Sequence, residues 1–495
     1  MVDFWDYSVW SFFNLVAVLL FSLLGANMLK KAIPALKASL IPNSVLGGGI
    51  LIVVAGIYKA VTGQVMFDTE FFGGNGTAQL ELITYHALAL GFIASTFKPS
   101  KGKMTKQRTI EIFNTGVTTV STYLLQAVFG LGICLIATFF MKDFFPAAGV
   151  LLPFGYGQGT GQALNYGGIY EDMGFEGGRS FGLTIAALGF LSASIGGVVH
   201  LNVLKKKGII CTHKSTEGKI SSEEIQNENE IPMQESMDKL TVQIALVFLA
   251  YFIAYLLMMG LGALLPGMKS VIYGFNFLLG VLAATLVKGV LSFLNKHKIV
   301  NRVNTNEFLM TRTSNFFFDI MVVAGIAAIR LSVLQNYWGI MLILGIVGLV
   351  ITYIYNLIVA KVLFPNYAQE QFLAMYGMLT GTASTGIILL REIDGDFETP
   401  VSDNLVYQNF PAIVFGFPMM LLATLAPKAP ILTLGILFVF FVAMNILLFR
   451  SKIFVRRKEK VSYSGGQYNC CPPFRLFIKI KRAPSTLDGA LELVT

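Results

Sequence analysis

The chain is short of charge. Only 65 of its 495 residues are Asp, Glu, Lys or Arg, 13% where globular proteins carry about 25%. Hydrophobic residues make up 55% and the mean hydropathy is +0.67. A water-soluble protein of this composition could not cover its surface, so soluble multidomain architectures are excluded and an integral membrane protein remains. Cysteine is equally scarce: Cys134, Cys211, Cys470 and Cys471 form neither a disulfide framework nor a zinc pattern. Cys134, inside an apolar run, is expected to be a small buried side chain. The four histidines, His86, His200, His213 and His297, start no HExxH, and no Walker A or GxGxxG frame is present. No catalytic residue is assigned and the chain is not read as an enzyme. The net charge of +9 is concentrated rather than spread, with ten Lys/Arg against three acidic residues between 450 and 495, so it is not read as a nucleic-acid footprint.

What the chain has instead is long apolar runs. A hydrocarbon core of ~30 Å needs about 20 apolar residues per helix. Eleven runs meet this, at 8–29, 44–62, 79–97, 114–141, 179–204, 239–265, 270–293, 308–330, 338–363, 404–426 and 430–450. The first lacks a basic n-region and is too long for a signal core, so it is expected to be retained. Two further stretches, 145–165 and 367–391, are only moderately apolar and are interrupted by Gly, Thr, Gln and Ser. Lys and Arg gather in the segments 30–43, 98–108, 205–238 and 294–307 and in the tail, and are missing from 1–7, 63–78 and 331–337. By the positive-inside rule the first group is cytoplasmic and the second external. That alternation closes only if 145–165 and 367–391 each dip into the membrane and return to the same side. The expectation is a multi-pass protein of the cell membrane, N-terminus outside and C-terminus cytoplasmic.

The two interrupted stretches repeat one another. Tyr156-Gly157-Gln158-Gly159-Thr160-Gly161-Gln162-Ala163 and Tyr376-Gly377-Met378-Leu379-Thr380-Gly381-Thr382-Ala383 share a Tyr-Gly-x-x-Thr-Gly-x-Ala frame at an offset of 220. Shifting the first five runs by about the same amount lands each on or near the second five. Five is odd, so the second set starts from the opposite side of the bilayer. The expected fold is all-α and polytopic. It has two inverted five-helix repeats, residues 1–204 with a re-entrant hairpin at 145–165 and residues 239–426 with one at 367–391. A cytoplasmic linker at 205–238 joins them, and an additional helix at 427–450 and a basic cytoplasmic tail at 451–495 follow. Broken elements in matching places are the mark of a secondary-transporter binding site, because non-helical backbone survives at that depth only in protein or beside an aqueous cavity.

The candidate site follows from the chemistry of these breaks. Gly157, Gly159 and Gly161 let backbone amides approach a ligand, Thr160 adds a hydroxyl, and Gln158, Gln162 and Asn165 add carboxamides. The second stretch offers Gly377, Thr380, Gly381, Thr382, Ser384 and Thr385. A half-helix N-terminus carries about half a positive charge and suits a carboxylate, while carbonyls and hydroxyls suit Na+, the expected coupling ion, with no other metal or cofactor. Packing of glycine-bearing helices is the alternative use of the same residues. Asp319, with Asn315 and Arg312 along one side of the run 308–330, is either a site residue or half of a structural ion pair.

In these segments the chain resembles the bacterial glutamate:sodium symporter family. The likeness is carried by Gly157-Gln158-Gly159-Thr160-Gly161, Gly174-Phe175, Asn366-Tyr367-Ala368 and the stretch Gly377 to Thr385. It implies a homodimeric carrier with Na+-driven uptake of glutamate by alternating access, a small anionic substrate, and the two glycine-rich loops as the substrate and ion region. A sodium-coupled di- or tricarboxylate carrier would share this architecture. A membrane-embedded enzyme and a channel are the remaining alternatives.

Overall fold

A computed structural model describes residues 4–98, 105–209, 230, 237–299, 302, 305–395 and 398–453. The basic tail beyond 453 and most of the 205–238 linker lie outside the described residues. The elements are helices throughout, and among the described residues there is no strand. In chain order they are α1 (Tyr7–Ala32), α2 (Pro34–Ala38), α3 (Asn43–Thr62), α4 (Gly76–Thr96), α5 (Lys106–Ala137), α6 (Leu151–Asp172) and α7 (Gly178–Lys206). After the linker come α8 (Lys239–Leu264), α9 (Lys269–Gly274), α10 (Asn276–Lys296), α11 (Glu307–Ala327), α12 (Trp338–Leu363), α13 (Ala368–Thr380) and α14 (Ala383–Arg391). The chain closes with α15 (Val401–Tyr407), α16 (Asn409–Leu425), α17 (Pro430–Leu448) and α18 (Arg450–Ile453).

Eight of these helices (α1, α3, α5, α7, α8, α10, α12 and α17) are long and apolar enough to cross a membrane, and α15 with α16, bent by 47° at their junction, would make a ninth. Their outer faces carry large exposed apolar side chains such as Phe21, Val53, Phe252, Leu286, Ile346 and Val439. Such surface belongs in hydrocarbon rather than water. The protein is an all-α polytopic membrane protein.

Two helices outside that set are less apolar. Helices α4 and α11 are 21 residues each and carry Glu81, His86, Arg312 and Asp319, which lowers their hydropathy below that of the other spans. They pack against one another. The Ser314 hydroxyl donates to the Gly91 carbonyl at 3.0 Å, and a side chain at Gly91 would meet the Phe318 ring. A helix flanked by other helices needs less apolar surface than one facing lipid. At one end of this interior, Arg179 of α7 pairs with Glu81 of α4 at 3.3 Å and with Glu171 of α6 at 3.4 Å.

Two boundaries differ most from the apolar runs. Helix α5 starts at Lys106, ahead of the run 114–141, because Thr105 caps it by accepting from the Arg108 amide at 3.3 Å. Its 32 residues extend about 48 Å, longer than the hydrocarbon core. The first interrupted stretch also runs past 165: a short 3-10 turn (Pro146–Val150) leads into α6, which ends at Asp172. Cys134 is a free thiol buried in the interior.

Candidate functional site

The site is built from two reversals of the chain. Within α6 the rings of Phe154 and Tyr166 stack with centroids 3.7 Å apart. Twelve residues along an unbroken helix would separate them by about 18 Å, so the chain doubles back between them. The reversal falls at Gly159, whose φ of 78° and ψ of −170° lie where a side chain is strongly disfavoured. The first arm is fastened by Tyr123, whose hydroxyl donates to the Gly157 carbonyl at 3.0 Å, and by Tyr156, which donates to the Gly345 carbonyl at 2.6 Å. The second arm is fastened by Thr160, whose hydroxyl donates to the Met321 carbonyl at 3.3 Å.

The second reversal joins α13 to α14. Here the arms touch directly: a Cβ at Gly377 would lie 2.8 Å from the Gly386 Cα, and one at Gly386 would lie 2.4 Å from the Ala374 carbonyl oxygen. The turn spreads over Gly381 (φ −143°) and Thr382 (φ −138°, extended). The last carbonyls of α13 lose their helical partners at this break. One is recovered by Gln126, whose Nε2 donates to the Leu379 carbonyl at 3.0 Å and to Thr352 Oγ1 at 2.8 Å. Tyr376 Oη donates to the Ser192 carbonyl at 2.8 Å, while Tyr156 Oη shares a hydrogen bond with the Ser192 hydroxyl at 2.9 Å.

The two tips meet. A Cβ at Gly159 would lie 3.5 Å from Thr382 Cγ2 and 3.7 Å from the Gly381 carbonyl oxygen. Beside this junction is a cavity of about 140 Å³. Its polar lining comes from Gln158 and Gln162 of the first hairpin, Thr382 of the second, and Ser95, Tyr123, Gln408 and Asn409. The remainder is apolar, with Phe92, Phe277, Phe318 and Met321 among the contributors, and among the described residues no Asp, Glu, Lys or Arg lines it. Gln162 is 1% exposed, and neither its Nε2 nor its Oε1 has a hydrogen-bond partner. Electrostatically, each reversal ends one half-helix and starts another, which brings two N-termini and two C-termini together at the tips.

The predicted residues do not all share one role. Gly157, Gln158, Gln162, Gly381 and Thr382 line the cavity, with Gly159 at the tip contact. Thr160, Thr380, Ser384 and Thr385 stand beside it: Thr380 donates to the Tyr376 carbonyl at 2.6 Å, the hydroxyls of Thr382 and Thr385 are 3.3 Å apart, and Ser384 is half-buried. Hydroxyl and carbonyl oxygens cluster at this turn. Among the described residues no cluster of His, Cys, Asp and Glu could hold a metal ion. Gly161 and Gly377 serve helix packing, against Leu88 and Gly386. Asn165 lies outside the lining, its Nδ2 donating to the Gly274 carbonyl at 3.1 Å.

Arg312, Asn315 and Asp319 are not brought to the cavity. The face of α11 turned toward the hairpins and α4 is Ser314, Phe318, Met321 and Gly325. At 100° per residue the charged stripe lies roughly 120° around the helix from it. All three side chains are exposed in the single chain. Arg312 lays its guanidinium over the Phe308 ring at 5.0 Å, and Asp319 is hydrogen-bonded with Ser44 of α3. Their shared stripe was legible in the sequence, but the direction it faces was not.

Two lining residues that the sequence reading missed are Gln408 and Asn409, at the 47° bend between α15 and α16. Gln408 Oε1 accepts from Thr119 at 2.9 Å, and its Nε2 donates to Asn409 Oδ1 at 3.0 Å. The signal was present: two carboxamides inside an apolar run, just ahead of Pro411, which lacks an N–H for the ladder and disfavours helix before it. Comparisons of the whole chain with protein-family models, curated proteins and solved structures find no match.

Proposed function

We propose that the protein is a sodium-coupled secondary transporter, a symporter that imports glutamate or a similar small carboxylate by alternating access. The observation that carries this reading is the meeting of two hairpin tips, Gly159 against Gly381 and Thr382, at a cavity inside a membrane protein. Two half-helix N-termini attract one carboxylate, and the C-terminal carbonyls with the hydroxyls of Thr380, Thr382, Ser384 and Thr385 suit Na+. A channel has no need of two opposed reversals.

The same reading takes the fold as two inverted five-helix repeats with a re-entrant hairpin in each, followed by an eleventh helix. It counts α4, α11 and the bent α15–α16 pair as spans beside the other eight. Support comes from pairs of residues at the repeat offset that meet in space. Tyr156 and Tyr376, 220 apart, both reach Ser192, and Gln126 and Thr352, 226 apart, hydrogen-bond to each other. The N-terminus is taken to be external, the C-terminus cytoplasmic, the membrane the cell membrane and the assembly a homodimer. Uptake of labelled glutamate and related carboxylates into proteoliposomes, with and without an inward Na+ gradient, tests the function. Uptake is expected only with the gradient, and uptake indifferent to Na+ counts against the ion assignment.

A further inference from the structure

A second cavity lies along the same elements as the first. It has a volume of about 580 Å³, and its walls include Tyr85 of α4, Asn165 and Ile169 of the second hairpin arm, and Tyr273 and Gly274 at the end of α9. The exposed Leu82 and the partly exposed Arg179 also line it, so it is reached from outside the fold. Three residues along each wall the same elements line the inner cavity: Leu88 follows Tyr85 on α4, Gln162 precedes Asn165 on the hairpin arm, and Phe277 follows Gly274 into α10. The two spaces are stacked, with about one turn of each element between them. The loop 63–78, which leads into this end of α4, has no Lys or Arg, which makes the outer space external by the positive-inside rule.

The intervening turn is stitched by hydrogen bonds between elements. Asn165 Nδ2 donates to the Gly274 carbonyl at 3.1 Å, Tyr85 Oη donates to the Tyr273 carbonyl at 2.7 Å, and Asn276 Nδ2 donates to the Tyr85 carbonyl at 2.9 Å. Two of the acceptors are the last carbonyls of α9, where a helix end leaves such groups to outside partners. Beside these bonds the packing is close: a Cβ at Gly274 would lie 3.6 Å from Ile169 Cδ1, and one at Gly161 would lie 2.7 Å from Leu88 Cδ1. A seam held by hydrogen bonds differs from one held by leucines. When it parts toward water, each donor and acceptor exchanges its partner for water at small net cost, whereas apolar side chains would be left exposed.

We propose that Asn165, Tyr85 and Asn276 form the external closure of the inner cavity, and that the space above them is the vestibule by which a small hydrophilic solute enters. The closure is read from geometry; its purpose rests on the transporter reading above. The test is sided thiol accessibility in the full-length chain. Ala412 of α16 lines the inner cavity, and Ala412→Cys is exposed to a membrane-impermeant thiosulfonate in right-side-out and in inside-out vesicles, with the parent chain as the blank for its own cysteines. Adding Asn165→Ala or Tyr85→Phe is expected to raise the modification rate from outside about five-fold each, the worth of one hydrogen bond, and to leave the rate from inside unchanged. Tyr355→Phe removes a comparable bond, 2.9 Å to Asn445 Oδ1, and lines neither cavity; it is expected to change neither rate. Thermal unfolding of each variant checks that it is folded, and Tyr85→Phe, which loses only a hydroxyl, serves if Asn165→Ala is not. An external rate that Tyr85→Phe leaves unchanged overturns the proposal, as does a rise seen equally from both sides or with Tyr355→Phe. A rise confined to inside-out vesicles overturns the external assignment. Labelling needs neither Na+ nor substrate, so a parent protein that fails to take up any carboxylate with Na+ overturns the transporter reading and leaves the closure standing.

Discussion

The two hairpins reach the same junction by different means. The first turns on one residue, Gly159, in backbone that a side chain strongly resists (φ 78°). The second turns over two residues with negative φ, Gly381 and Thr382, and carries hydroxyls through the turn. One tip turns at a positive φ and is flanked by carboxamides; the other turns at negative φ and is flanked by hydroxyl oxygens. The two copies of the motif are therefore chemically distinct, and under the proposed transport function the first would meet the ends of an organic substrate and the second a hard cation that prefers oxygen.

Substitutions can break that contrast. The largest effect is expected from Gly159→Val, which forces a branched side chain into the left-handed region at a cost of about 1–3 kcal/mol and pushes toward Thr382. Uptake should be lost, with a lowered midpoint in thermal unfolding. Gly381→Ala should do less. Its new Cβ would lie 3.0 Å from Thr385 Oγ1 and 3.1 Å from the Phe190 ring, contacts that shifts of a few tenths of an ångström relieve. A fall in initial rate of less than about ten-fold is expected, and an effect equal to that of Gly159→Val would show the turns to be alike. Thr382→Val keeps the shape and removes one oxygen. The Na+ concentration for half-maximal uptake should rise about five-fold, within the worth of one hydrogen bond or ligand oxygen, with little change in rate at saturating Na+. Smallest of all is Asp319→Asn, whose side chain lies on the other side of α11. A change of less than about two-fold in rate and Na+ dependence is expected, and a larger one would extend the site beyond the two hairpins.

Much of this was legible in the sequence because glycine and carboxamides are conspicuous in apolar surroundings. Interruption by Gly157, Gly159, Gly161 and Gly381 marked both reversals, and the shared Tyr-Gly-x-x-Thr-Gly-x-Ala frame paired them. Individual roles were less accessible. The motif cannot tell that Gly161 makes room for Leu88 while Gly159 forms the turn, since both roles ask for the same missing side chain. Periodicity placed Arg312, Asn315 and Asp319 on one stripe, but a helix has no intrinsic front, and only its neighbours α3 and α4 decide which stripe looks inward. Gln408 and Asn409 escape a reading by length, because the run 404–426 has the length of a span and only Pro411 signals the bend.

Ser192 has a mechanical consequence. Its carbonyl holds Tyr376 and its hydroxyl holds Tyr156, so one residue of α7 acts as a rivet through both hairpins. Neither hairpin can slide along α7 without giving up a buried hydrogen bond. The pair is therefore harnessed to α7 as a single body. The wall of Phe277, Leu278, Ile413 and Phe417, drawn from α10 and α16, meets the cavity through apolar contact alone at those residues.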